Sequence, residues 1–147
     1  MKVSIEVDKQ LVEAEVIIRT PVVDEEINKL VERINKNDKN IINVNLGNKI
    51  ILLEPFDIVR IFSGEKKVFV KTNNETYTIK QALYEIEQNL PRNFVRISGS
   101  EIINISMVKD FDLSFTGSIF VNFKNGDKTN VSRRFIFAIK EKIGLKN

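Results

Sequence analysis

The stretch F-V-R-I-S-G-S-E-I-I-N-I, Phe94 to Ile105, decides how the chain is read. Phe94-Val95-Arg96-Ile97 has the composition of a strand. It ends in a small polar loop, Ser98-Gly99-Ser100, beside the basic Arg96. Two readings of that loop stay open. It lets another backbone come close and offers hydroxyls and N–H groups to phosphates. It is equally a strand end followed by an ordinary turn and a Ser-capped helical turn.

Upstream of it, Leu83, Ile86 and Leu90 share one face of a helix expected over residues 80–90, which Pro91 terminates. Before that helix the pattern is β-rich. Strands are expected at 41–46 and 50–53 around Gly47-Asn48, at 58–62, and at 68–70 and 77–79 around the hairpin signal Asn73-Asn74. Downstream, strands are expected at 108–115 and 118–123, with Asn125-Gly126 as the strongest hairpin signal in the chain.

Further out, at the N-terminus, Val3, Ile5 and Val7 alternate with polar residues, and Val16-Ile17-Ile18 follows. These read as two strands. Asp24 then opens a helix with Ile27, Leu30, Val31 and Ile34 on one stripe. The polar turn Lys36-Asn37-Asp38-Lys39-Asn40 is the expected seam. The domain reading is a small β-β-α extension over 1–48, a dimerisation or regulatory element, and a main domain over 49–147.

The other end of the chain is N-V-S-R-R-F-I-F-A-I-K-E-K-I, Asn130 to Ile143. It reads as a helix with Ser132 as N-cap, its hydroxyl accepting from the N–H of Arg134 or Phe135. Phe135, Ala138, Ile139 and Lys142 run along one face, widened by Ile136 and Ile143. Arg133 and Arg134 then occupy the first turn, where the peptide dipoles already leave partial positive charge. An anion docked there reverses the penalty, meeting free N–H groups and two guanidinium forks. The competing reading pairs the arginines with carboxylates such as Asp110 or Asp112.

Charge agrees with an anion partner. The formal net charge is +3, and residues 124–147 alone carry seven basic against two acidic side chains. The positive excess is local, which favours a polyanion-binding surface over a merely solvated basic tail.

Composition removes most chemistry. The chain has no cysteine and no histidine. Disulfides, thiolate metal sites and the commonest general base are excluded, and a reducing cytosol is the expected compartment. No phosphate-cradling or nucleophile-elbow motif is present. Glu25/Glu26 and Asp110/Asp112 are the carboxylate pairs that can hold a hard cation, but plain surface charge explains them. No enzyme, cofactor, metal or small-molecule substrate is expected. No apolar run approaches the ~20 residues of a membrane span.

From Pro55 to Ile143 the chain resembles the LytTR DNA-binding domain of bacterial LytR/AlgR-type regulators. Four pieces carry the resemblance in order: Asp57-Ile58-Val59-Arg60-Ile61; Thr76-Tyr77-Thr78 leading to Leu83-Tyr84-Glu85-Ile86-Glu87; Phe94-Val95-Arg96-Ile97 with Ser100 and Ile103-Asn104-Ile105; and Asn125-Gly126 followed by Val131-Ser132-Arg133-Arg134. The resemblance implies an α+β fold, mostly β: an elongated arrangement of small antiparallel sheets with a few helices. It implies a cytoplasmic transcriptional regulator that inserts loops into successive major grooves of double-stranded DNA, as a homodimer on direct repeats. The residues it marks are Lys66 and Lys67, the loop of Arg96, Ser98, Gly99 and Ser100, and Arg133 and Arg134. Two departures stand out. Ser98 replaces the family's signature histidine, and Gly99 stands where the family often has a polar or basic residue. About 48 residues also cannot hold the receiver domain of many relatives, so the chain looks like a stand-alone member without phosphorylation control. In similar stand-alone regulators a membrane protein encoded nearby can act as inhibitor, so the resemblance also points to a membrane-bound inhibitor as a partner. The reading from another class is a protein-interaction module docking an acidic partner through the basic C-terminal face.

Overall fold

Turn chemistry builds most of the main sheet. The computed structural model describes residues 1–36 and 41–145, so the expected seam lies, from Asn37 on, outside the described residues. The chain divides into two compact units, Met1–Asn37 and Asp38–Asn147.

In the first unit, Asp24 caps helix α1 (Glu25–Lys36), its Oδ1 accepting from the Ile27 N–H at 2.9 Å. Glu25 and Glu26 sit in the first turn, where the dipole favours them, and Glu25 pairs with Lys29 at 3.6 Å. Of the expected stripe, Ile27, Leu30 and Ile34 are half-buried, while Val31 is exposed. The two expected strands are a correction. Residues 1–24 contain none, and Val3, Ile5 and Val7 are 87%, 88% and 84% exposed. Alternation marks a segment able to pair, but a strand forms only beside a partner that satisfies its backbone. Of the β-β-α extension, only the helix forms among the described residues.

The second unit holds two antiparallel sheets. The larger uses β1 (Ile42–Leu46), β2 (Lys49–Leu53), β3 (Ile58–Gly64), β4 (Lys67–Thr72), β5 (Thr76–Ile79), β6 (Phe94–Ser98) and β7 (Glu101–Asn104), in the order β2-β1-β5-β4-β3-β7-β6. The smaller is β10-β9-β8, from β8 (Val108–Asp112), β9 (Phe120–Phe123) and β10 (Lys128–Asn130). Gly47, at φ +58°, makes the β1–β2 turn, and Gly126, at φ +95°, the β9–β10 turn, both conformations that glycine adopts freely. Because β1 pairs with both β2 and β5, the second unit reaches upstream of residue 49, to Asp38.

Both faces of the larger sheet are covered. On one, helix α2 (Leu83–Glu87) packs Leu83 and Ile86 against Ile58, Ile61, Val70 and Ile102. On the other, Val59, Ile97 and Ile103 meet Ile119, Val121 and Phe123 of the small sheet and its loop, with Ile139 of helix α3 (Ile136–Lys142). All four residues of β7 are buried. This corrects the reading of Ser100 as cap of a helical turn: the chain turns back at once and β7 pairs with β6 and β3. A strand covered on both faces has no polar–apolar alternation to betray it. The helical turn comes later, at Ile105–Met107, and Asn104 caps it, accepting from the Ser106 N–H at 3.0 Å.

Asn104 is fully buried, and both ends of its amide are hydrogen-bonded. Its Nδ2 donates to the Ile58 carbonyl at 2.8 Å, and its Oδ1 also accepts from the Asn93 Nδ2 at 2.6 Å. One side chain thus joins the end of β7, the start of β3 and the residue preceding β6.

Candidate functional site

Topology gathers the sequence-marked loops. Strand β3 lies between β4 and β7, antiparallel to both, so the β3–β4 turn and the β6–β7 turn emerge at the same end of the sheet. The Ser63 N–H donating to the Ser100 carbonyl at 2.8 Å ties the two turns together. The Ser132 N–H donates to the Ile97 carbonyl at 2.9 Å, which brings the segment carrying Arg133 and Arg134 to the same end of β6. Three segments far apart in sequence therefore share one edge.

The β3–β4 turn is held under strain. Glu65 and Lys66 lie at φ +51° and +62°, left-handed conformations that Asn, Asp or Gly adopt more cheaply. They form a two-residue turn that lifts Lys66 to the tip, with the exposed Lys67 opening β4. Backbone held in a sparsely populated region concentrates at functional segments.

Arg96 is bonded within its own loop. Its Nε donates to the Ser98 carbonyl at 2.7 Å and one terminal nitrogen to the Gly99 carbonyl at 3.1 Å. The other terminal nitrogen faces Glu87 of α2 at 3.5 Å. The guanidinium folds under the 98–100 loop and braces it. The Ser98 hydroxyl accepts from the Ser100 N–H at 3.1 Å and lies 3.2 Å from the Ser100 hydroxyl, tightening the turn further. Gly99 is exposed at the apex. A Cβ there would meet nothing within 4 Å, so packing around that position makes no demand for glycine.

Arg133 and Arg134 open a 3-10 turn, Arg133–Phe135, that precedes α3. Two expectations are corrected here. The Ser132 side chain makes no cap hydrogen bond; its backbone carbonyl accepts from the Phe135 N–H at 2.9 Å instead. The α-helix proper spans seven residues and begins after the arginines, so the argument from a helix dipole loses its basis. The anchored face is Phe135, Ile136, Ile139 and Ile143, while Ala138 is exposed. The arginines are nonetheless presented: both are exposed, and among the described residues neither is within ion-pair distance of a carboxylate. The Arg134 guanidinium lies 5.8 Å from the Phe135 ring. Arg133 also borders a groove of about 640 Å³ with Gly117, Ser118 and Asn130.

The competing carboxylates are otherwise occupied. Asp110 accepts from the Asn122 Nδ2 at 2.7 Å. Asp112 accepts from the Ser114 N–H at 2.9 Å, and hydrogen bonds from Ser114 hold its carboxyl below the ordinary value.

Sequence reasoning missed a group of half-buried ions behind this edge. Glu101 Oε2 lies 3.0 Å from Arg60, and Glu101 Oε1 accepts from the Thr129 hydroxyl at 2.7 Å. Asp127 Oδ2 lies 2.6 Å from Lys71 and 3.8 Å from the Arg60 Nε. Burial pushes the Asp127 carboxyl up, but the bond from Lys71 and the charges of Lys71 and Arg60 outweigh it and hold the group below the usual carboxylate range. Residues as distant as Arg60 and Asp127 give no local signal of such a cluster.

The arrangement is that of a β-rich domain presenting loops and a short basic turn along one edge. Its helices, α1, α2 and α3, are separated by strands and offer no helix-turn-helix pair among the described residues. The LytTr DNA-binding domain family matches residues 48–144, and the chain belongs to that family. The fold is similar to that of a LytTr DNA-binding domain from Bacillus cereus, with a TM-score of 0.70, 22% identity, and coverage of 73% of this chain and 99% of that one. Over 146 residues the chain is 29% identical to an uncharacterized HTH-type transcriptional regulator of Staphylococcus aureus strain MRSA252, covering 99% of each. A counterpart from strain MSSA476 is 28% identical over the same length. No described helix is long and apolar enough to cross a membrane.

Proposed function

We propose that this chain is a cytoplasmic, sequence-specific transcriptional regulator that reads double-stranded DNA through the loop edge. The observation that supports this most is the convergence of three segments on one sheet end, each offering cations or open backbone. Lys66 and Lys67 contact phosphates and set register, together with one of the two arginines. The other arginine reads a base edge; a bidentate contact to guanine suits its fork. Ser98, Gly99 and Ser100 approach the DNA backbone closely, and Arg96 keeps their loop in shape from behind. Loops rather than a recognition helix enter the major grooves.

The regulator acts as a homodimer on direct repeats, with the segment ahead of β1 as the pairing or regulatory element. The exposed Val3, Ile5 and Val7 support this role, because they are apolar surface left open. The same surface suits a membrane-bound inhibitor protein. Fluorescence anisotropy with mixed genomic DNA fragments tests the reading. Binding should appear at moderate salt, and log affinity should fall steeply and linearly with log salt. Absence of binding would favour docking of an acidic protein on the basic face.

A further inference from the structure

We propose that Glu101 and Thr129 act as positioning residues, setting the distance between the 98–100 loop and the Arg133–Arg134 turn; the proposal rests on the DNA-reading function above. Glu101 is 8% exposed and stands directly after Ser100. Thr129 stands three residues before Ser132, the residue tied to Ile97. The Glu101 carboxylate therefore links the strand that follows the 98–100 loop to the strand that leads to the Arg133–Arg134 turn: Oε1 accepts from the Thr129 hydroxyl, and Oε2 accepts from Arg60 of β3. Arg60 is held in turn, 4.8 Å from the Phe62 ring centroid and 6.0 Å from that of Phe123, one ring on each sheet. Lys71 and Asp127 complete the set at the far end of β10.

The composition of this brace argues for geometry over attraction. Two cations and two anions cancel, so the cluster adds little to the field felt by a polyanion. Partly buried ion pairs contribute little net stability against an apolar alternative, and their best-attested use is to fix register. Here the register is that of the small sheet on the large one: the 98–100 loop belongs to the large sheet, and the Arg133–Arg134 turn follows the last strand of the small one.

The test uses the full chain, with Thr129→Val, Thr129→Ser and Glu101→Gln variants. Thr129→Val keeps the shape and removes the hydroxyl; Thr129→Ser restores it. Each is titrated with a duplex recovered by selection from a random pool and with a scrambled duplex of equal length, across salt. Amide hydrogen exchange is followed without DNA. Thr129→Val and Glu101→Gln should lower the ratio of specific to scrambled affinity about five- to tenfold, the effect of losing one well-placed hydrogen bond. Scrambled-duplex affinity and salt slope should stay unchanged, and Thr129→Ser should regain the ratio. Exchange should rise at Ser132 and around Ser98–Ser100, with the β1–β2 amides unaffected. An unchanged ratio, or a loss that serine does not rescue, overturns the proposal. If the unmodified protein does not discriminate between duplexes, the DNA reading fails and the exchange arm decides alone: a rise confined to the two segments sustains the brace, and a uniform rise or none removes it.

Discussion

Replacing Asn104 with alanine should destabilise the second unit more than any surface change. The side chain is fully buried and makes three hydrogen bonds, at 2.8 Å to the Ile58 carbonyl, 2.6 Å from Asn93 and 3.0 Å from the Ser106 N–H. Each bond contributes on the order of 1 kcal/mol net, and a buried partner left unpaired costs ~1–3 kcal/mol. The Ile58 carbonyl is the buried partner here, while Ser106 and Asn93 recover part of their bonding from water. Roughly 3 kcal/mol is the expected loss. A loss of that size lowers the melting midpoint by about 10 °C in a domain of this length. Urea denaturation followed by circular dichroism reads it, with the slope unchanged because the surface exposed on unfolding is the same. An Asn104→Asp variant adds a sign. Its carboxylate would face the Ile58 carbonyl, so its folded pKa should be raised, and this variant should gain stability as pH falls. A loss below about 1 kcal/mol for Asn104→Ala would show that the junction of β3, β6 and β7 does not depend on this residue.

Other outcomes follow from the same geometry. Arg133→Ala and Arg134→Ala should each leave the melting midpoint nearly unchanged, since both side chains are exposed; in gel shifts on the selected site, one should cost ~1–3 kcal/mol and relax specificity, and the other should reduce the salt slope by about 1. Lys66→Gly relieves a left-handed backbone and should raise stability by about 0.5–1 kcal/mol in thermal melts while weakening DNA binding, a pairing of effects that a purely structural turn would not show. The Asp127 carboxyl lies below its ordinary value, so its contribution is present above the unfolded pKa and is lost as pH falls through the folded one. Acid titration should therefore show that loss below about pH 4, and Asp127→Asn should flatten that part of the curve.

How far the sequence carried depends on whether each signal is local. The β1–β2, β4–β5 and β9–β10 hairpins were legible because Gly47-Asn48, Asn73-Asn74 and Asn125-Gly126 carry their turn chemistry in adjacent residues. Strand β7 was not, because Ile102 and Ile103 are buried on opposite faces and erase alternation. Residues 3–7 show the reverse failure, perfect alternation without a partner to pair with. The short α2, five residues where eleven were expected, reflects how little of 80–90 packs on the sheet. At the site, each loop was recognisable alone, yet their meeting on one edge is a property of strand order. The partners of Arg96, the Ser98 and Gly99 carbonyls and Glu87, were not legible, because they are fixed by a turn and a helix that composition does not reveal.

Selection of duplex DNA from a random pool by the full-length protein tests the central claim most directly. Enrichment of a short motif arranged as a direct repeat, with binding lost on Arg133→Ala/Arg134→Ala double substitution, is the expected result. A pool that stays random through successive rounds, with a folded protein in hand, would contradict it.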